Sequence, residues 1–537
     1  MSRSEAAPPK PSDSMQDYRL TVDRFLDHAA KWHGRAPVIT GSAAGGERVV
    51  TYGDLRERAN RLSGALLAAG LKPGDRIATL AWNTQHHLEV WYAAMGVGIV
   101  CHTLNPRLTP AQLAVMVNQA DDRMLFVGGG LATLTDVLVE ACPGLERVVI
   151  LDGEGGDGDG EEGIGLERFL EAQGRPTAWG DFDERAAAGL CFTSGTTGAP
   201  KGVLYTHRAN YLSTLRLMQA DALALTATDC ILVAVPMFHA NAWGIPFAAP
   251  AVGAAMVLPG RHTDGPALAG LIERHGVTVA TGVPTVWIGL LDHLDATGGT
   301  LPTLKRVALG GASCPDALLQ RIEDRLDVTV QTSWGMTELS PLGTISPPSS
   351  QPRAARASGR APMGLDIQLT DADNRPLAQQ RNVEGHLKVR GHSVVRQYLD
   401  AETHALDADG WFDTGDLAVI DDQGALTIAG RSKDLIKSGG EWINPVEIEG
   451  LVGALPEVAL VAVIGRPDPK WGERPLMVIE PRQGQDVDQA AVLTSLKGRI
   501  ADWWIPDRIV SVSSMPLAAT GKIDKTRLRL EFGDVSK

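Results

Sequence analysis

The chain has 537 residues, of which 44% are hydrophobic and 21% charged; this ordinary balance argues against a disordered or fibrous protein, and at ~150 residues per domain it suggests about three or four structural units. A formal net charge of −14 argues against nucleic-acid binding or a polybasic membrane contact, because either needs a cationic face. The scattered cysteines, Cys101, Cys142, Cys191, Cys230 and Cys314, form no CxxC pair, so neither a zinc cluster nor a disulfide framework is indicated and a cytoplasmic setting fits.

Residues 1–18 lack the apolar run of a secretory signal and read as a flexible leader. From Thr51, TYGDLRERANRLSGALLAAG puts Leu55, Ala59, Leu62 and Leu66 on one helical face, with Thr51 and Asp54 as a capping-box start and Gly70 as a stop. Next, DRIATLAW, the segment around HHLEVWYAAM, GIVCHTL, TPAQLAVMVNQA, RMLFVG and RVVIL alternate strand-like and helix-like patterns, which predicts α/β layering. The run GEGGDGDGEEG at 153–163 reads as a solvated loop, with a calcium loop as the alternative. The weakly polar stretch 231–259 contains Pro236, Pro246 and Pro250 together with His239 and Asn241, so buried strands and turns are expected there, and no integral membrane helix. A boundary is expected near Gly430 and Arg431, dividing a large N-terminal part with several α/β subdomains (19–430) from a small mobile α+β domain (431–537). No repeat of fixed period is visible, so a solenoid is not supported.

The most informative segment is CFTSGTTGAPKG, 191–202. Glycines let backbone N–H groups approach phosphate oxygens, hydroxyls add donors, and a lysine neutralises charge. The spacing is not GxxxxGK[ST], and by composition alone such a run is also a common linker. TSGTTGAPKG nevertheless resembles the signature of the adenylate-forming superfamily: acyl-CoA synthetases, firefly luciferase-type enzymes and the adenylation domains of peptide synthetases. The likeness extends in order through TSWGMTELS (332–340), WFDTGD (411–416), GRSKDLIKSGGEWINPVEIE (430–449) and ATGKIDK (519–525), covering nearly the whole chain. Cys191-Phe192 and Trp411-Phe412 depart from tyrosine-containing strings common in the family, without removing a charge or hydroxyl that its chemistry needs.

The resemblance implies that the chain activates a carboxylic acid with ATP as an acyl-adenylate and passes the acyl group to coenzyme A. By the same likeness Thr193, Ser194, Gly195, Thr196, Thr197, Gly198 and Lys201 hold the ATP phosphates, and Thr196 and Glu338 hold Mg²⁺. Trp334, Gly335, Met336 and Thr337 lie along adenine and the α-phosphate, core packing being the other reading of Trp334 and Met336. Asp416 accepts from the ribose hydroxyls and Arg431 reaches ribose or phosphate, while DTGD alone would also suit a plain turn. Gly310 and Gly311 border adenine and the acyl carbonyl, or form a simple turn. Lys522 bridges carboxylate and α-phosphate, and a rotation at Lys433 withdraws it and presents Ser438, Gly439, Gly440 and Trp442 toward the CoA thiol.

For the acid, VPMFHANAWG (235–244) is similar to the acyl-pocket segment of medium- and long-chain fatty acyl-CoA synthetases and of 3-methylmercaptopropionyl-CoA ligases. His239 then stands beside the carboxylate and Trp243 gates the acyl tunnel, core packing being the alternative for both. A fatty or short aliphatic acid, with or without a methylthio group, is expected; an aryl acid, a carrier-protein thiol in place of CoA, or a non-catalytic nucleotide sensor are the rivals. No carrier domain follows Lys537 in this sequence, which favours free CoA. The family likeness makes a homodimer a candidate assembly.

Overall fold

Local signals in the sequence set the first helices. The Thr51 hydroxyl accepts from the Asp54 N–H while the Asp54 carboxylate accepts from the Thr51 N–H, starting the helix Tyr52–Ala68 as a reciprocal cap. Leu55, Ala59, Leu62 and Leu66 are all buried, as their spacing predicts, and Gly70 ends the run at φ +91°, where a side chain would be strained. Thr109 and Gln112 start Pro110–Ala120 in the same way.

The computed structural model describes residues 15–41, 46–152, 163–193, 200–312, 314–348, 357–482, 484–518 and 522–533. Most of the expected leader, residues 153–162 of the acidic glycine run, and Ser194, Gly195, Thr196, Thr197 and Gly198 therefore lie outside the described residues.

Among the described residues there are three sheets. One runs in spatial order Ile164–Gly165, Arg147–Ile150, Asp122–Val127, Arg76–Leu80, Val100–Leu104, Ala187–Thr193, Lys201–Thr206; it is parallel except for its last pair. The second has a parallel half, in which Pro37–Thr40, Ala255–Leu258, Cys230–Val233, Val279–Gly282, Arg306–Leu309 and Thr329–Gly335 lie side by side. From Leu342–Ile345 onward it becomes antiparallel, through Ala357–Arg360, Ala425–Arg431, Phe412–Ile420, Glu384–Gly391 and Leu365–Thr370. The helix Gln85–Gly96 touches strands of both large sheets and is buried on every side. That position suits its apolar run 90–96, while Glu89 in its first turns pairs with Arg58.

The stretch 231–259 departs from the expected strands and turns, because Ile245–Val252 is a helix despite Pro246 and Pro250. Pro246 sits in the first turn, where the missing N–H costs nothing. Pro250 cannot donate to the Pro246 carbonyl, but the Tyr92 hydroxyl does so at 2.9 Å, which satisfies the freed acceptor.

The strand Ala425–Arg431 is the last of the large sheets. After the single turn Ser432–Asp434 the chain enters the third sheet, in order Glu441–Ile443, Ile436–Ser438, Gly472–Pro481, Val458–Asp468, with Arg508–Ser511 parallel to Gly472–Pro481. Pro445–Val452 and Gln489–Leu496 pack on it, sharing one core with Ile436, Val463 and Met477. The mixed α/β architecture, with a large N-terminal part and a smaller C-terminal unit, follows the expectation.

Candidate functional site

Two paired strands flank the phosphate-loop string. Ala187–Thr193 and Lys201–Thr206 pair antiparallel, with Thr193 opposite Lys201, so the two ends of the Gly/Ser/Thr run are held side by side. Lys201 lies 5.1 Å from the Tyr398 ring centre, and the Tyr398 hydroxyl donates to Glu338 Oε1 at 3.0 Å. Tyr398 thus joins the loop's lysine to the expected metal carboxylate. Nothing in the string RQYLD marked it.

The strand Thr329–Gly335 delivers the next motif. A tight return brings the Met336 N–H to the Pro341 carbonyl at 3.0 Å, and a Cβ on Gly335 would stand 2.1 Å from that carbonyl oxygen, so no other residue fits there. Thr337 is buried, and its carbonyl accepts from the Tyr205 hydroxyl at 2.8 Å. Trp334 is buried over Gly343, and its Nε1–H donates to Asp416 Oδ2 at 2.9 Å. The structure therefore gives Trp334 a core position and a polar task that the sequence did not announce.

Asp416 stands opposite Arg431 on neighbouring strands, with Arg431 Nε 2.8 Å from its Oδ1. Burial raises the pKa of Asp416, and Arg431, the Trp334 hydrogen bond and Lys522 pull it back. Its two oxygens are thus already oriented by cation and indole.

Lys522 reaches this group from the C-terminal unit. Its pKa is lowered, first by burial and then by Arg431, while Asp416 and Glu338 oppose the shift. Burial, with Lys522 adding to it, lowers His239 to about 4, so this imidazole is neutral at pH 7. A Cβ on Gly311 would lie 4.0 Å from Lys522 Cε, 3.6 Å from Trp243 Cζ2 and 3.3 Å from Val283. A Cβ on Gly310 would meet Ser333 Oγ at 2.3 Å and Trp243 at 3.2 Å. Close approach requires glycine at 310, and a φ of +80° favours it at 311. His239, Trp243, Gly310, Gly311, Asp416, Arg431 and Lys522 are therefore brought together from segments distant in sequence.

Trp243 is placed by an unusual backbone. Ala240, Asn241, Ala242 and Trp243 have φ of +44°, +53°, +46° and +58°, and Gly244 has +76°. Left-handed geometry costs an L-residue about 1–2 kcal/mol, so packing must enforce it. The Asn241 side chain accepts from Cys191 Sγ at 3.6 Å, tying this turn to the strand that leads into the phosphate loop.

Lys433 lies in the turn Ser432–Asp434, and burial lowers its pKa. Ser438, Gly439, Gly440 and Trp442 are on a hairpin of the C-terminal sheet, with Gly439 and Gly440 at φ +61° and +94°. That hairpin is held within its own sheet: the Gly439 N–H donates to the Trp471 carbonyl at 2.8 Å, and Arg474 donates to Ser438 Oγ. Trp442 is exposed, with Lys437 over its ring. Among the described residues no cluster of three or more His, Cys, Asp or Glu could hold a metal. A Mg²⁺ carried by one carboxylate and nucleotide phosphates needs no such cluster, so Glu338 fits that role. Among the described residues no helix is long and apolar enough to cross a membrane.

Comparison with known proteins agrees with this geometry. Residues 25–399 match the family model of the AMP-binding enzyme, and 447–522 that of the AMP-binding enzyme C-terminal domain. The chain is 43% identical over 528 residues to 3-methylmercaptopropionyl-CoA ligase of Ruegeria pomeroyi, covering 96% of this chain and 98% of that one. It is 38% identical over 532 residues to the medium-chain-fatty-acid–CoA ligase of Ectopseudomonas oleovorans, covering 97% of each. The ATP-bound crystal structure of MatB from Rhodopseudomonas palustris superposes with a TM-score of 0.85 at 26% identity, over 97% of this chain and 100% of that one.

Proposed function

The chain belongs to the AMP-binding enzyme family, and on that premise we propose that it is an ATP-dependent acid–CoA ligase forming acyl-CoA, AMP and pyrophosphate. The observation that carries the reading is Lys522, half-buried beside Gly311, His239 and Asp416. In the first half-reaction a carboxylate oxygen attacks the α-phosphorus and pyrophosphate leaves. This step gathers anions, so it needs positioned positive charge more than an acid or base. Lys522 supplies that charge between carboxylate and α-phosphate, and Lys201 supplies it along the β- and γ-phosphates, with Thr193 and its loop as hydrogen-bond donors. Neutral His239 sits beside the carboxylate without adding a competing cation. Asp416 and Arg431 hold the ribose, and Glu338 would hold Mg²⁺, whose chemistry is neutralisation of the departing pyrophosphate.

In the second half-reaction the CoA thiolate attacks the acyl carbonyl and AMP leaves. The C-terminal domain, which follows the large-sheet strand ending at Arg431, turns at Lys433 and brings Ser438, Gly439, Gly440 and Trp442 to the thiol. The acid is a fatty or short aliphatic carboxylate, a reading supported by relatives named for 3-methylmercaptopropionate and medium-chain fatty acids. A homodimer, from family likeness, and a cytoplasmic setting, from the free cysteines, belong to the same reading.

Lys522→Ala tests it. Acid-dependent exchange of pyrophosphate into ATP should fall by at least about a hundredfold, while acyl-CoA formation from supplied acyl-adenylate persists. Undiminished exchange would remove Lys522 from this role. Wild-type protein that binds ATP yet releases no pyrophosphate with any acid would favour a nucleotide sensor.

A further inference from the structure

A small chamber lies against Trp243. Asn210, Ser213 and Thr214 line it from the helix His207–Leu217, facing Trp243, Phe247 and Ser340. The space open to water centres is ≈ 10 Å³, on the order of one water. The indole that lines this chamber also stands against Gly310 and Gly311, neither of which lines it.

The chamber is not the apolar sleeve that an alkyl tail would favour. Asn210 and Ser213 are 3% and 7% exposed, and Asn210 Nδ2 and Ser213 Oγ have no hydrogen-bond partner among the described residues. Thr214 is not equivalent, because its hydroxyl donates to the Asn210 carbonyl at 2.8 Å. Just beyond the wall, buried Arg216 donates through Nη2 to the carbonyl of Leu342, a lining residue, at 2.6 Å. Its Nε and Nη1 find no partner among the described residues. The chamber therefore offers unspent donors backed by a desolvated cation. A buried donor left unpaired costs about 1–3 kcal/mol, and an alkyl tail that fills the space leaves these donors unpaired.

We propose that this chamber is the far end of the acyl site and that Asn210 and Ser213 select an acid whose chain carries an oxygen acceptor over the plain alkyl acid of equal length. The proposal rests on the ligase reading. Displacement of the Trp243 indole admits the tail, and the Asn210 amide and Ser213 hydroxyl donate to its oxygen.

The test compares octanoate with octanoates bearing a keto oxygen at carbons 4, 5, 6 or 7, by kcat/KM for acyl-CoA formation in wild type, Asn210→Leu and Ser213→Ala. At least one keto acid should exceed octanoate about tenfold in wild type, and each substitution should shrink that ratio, Asn210→Leu to near unity. Because the ratio is taken on one preparation, a smaller folded fraction cancels. Octanoate equalling or exceeding every keto acid in wild type overturns the proposal, as does a preference that survives both substitutions. In either case the ligase reading stands. Absence of acyl-CoA from every acid overturns both.

Discussion

Asp416 shows how much of the site lies in pairs of residues distant along the chain. The strings WGMTE and DTGD are each legible as local motifs, but the bond from Trp334 to Asp416 spans 82 residues, and no spacing rule joins them. Tyr398 was missed for the same reason, since its partners Lys201 and Glu338 lie in two other motifs. The indole bond has a testable consequence. Burial already raises Asp416, and the Trp334 N–H favours its charged form; Trp334→Phe should raise the pKa further. Only the carboxylate accepts from two ribose hydroxyls while bound to Arg431. The KM for ATP should therefore rise roughly tenfold, the worth of one charge-assisted hydrogen bond, with a smaller change in kcat. As pH falls, KM should begin to climb at a higher pH in the variant than in wild type. A pH profile of KM that does not move would show that Trp334 serves packing alone.

At the scale of elements, the helices with local start signals were legible, because a capping box is complete within four residues. Tyr52–Ala68 and Pro110–Ala120 begin where Thr51 and Thr109 say they should. Ile245–Val252 was not legible, because its two prolines are ordinarily breakers. The compensation for Pro250 comes from Tyr92, 154 residues before the acceptor Pro246. This predicts a specific coupling. Tyr92→Phe leaves the buried Pro246 carbonyl unsatisfied and should cost about 1–3 kcal/mol in denaturant unfolding. Adding Pro250→Ala supplies an N–H to the same carbonyl, so the double variant should recover most of the loss. If the two substitutions add independently in the double-mutant cycle, the helix owes its stability to packing, not to this bond. The same element leads out of the left-handed turn that carries Trp243, so its stability also fixes the acyl side of the site.

At the scale of the whole molecule, one lysine must serve the large sheets while residing on a separate small unit. Before the junction, Arg431 is tied to Asp416 and belongs to the large sheet. After Lys433, Asp434 pairs with Arg529 at 2.6 Å, and Lys525 pairs with Glu449 at 2.7 Å. The segment bearing Lys522 is thereby fastened to the C-terminal side of the junction, so that a rotation at Lys433 would carry Lys522, Arg529 and Asp434 together. Arg529 is a third exposed and Asp434 less so, which limits the pair to about 1 kcal/mol. Arg529→Ala should then slow acid-dependent pyrophosphate exchange by roughly fivefold, leave thioester formation from supplied acyl-adenylate nearly intact, and be relieved in part by Arg529→Lys. Because Arg529 acts through the placement of Lys522, the double variant Lys522→Ala/Arg529→Ala should be no slower in exchange than Lys522→Ala alone. A further drop in the double variant would mean that Arg529 supports adenylation by a route independent of the lysine, and the mechanical link between junction and active site would have to be abandoned.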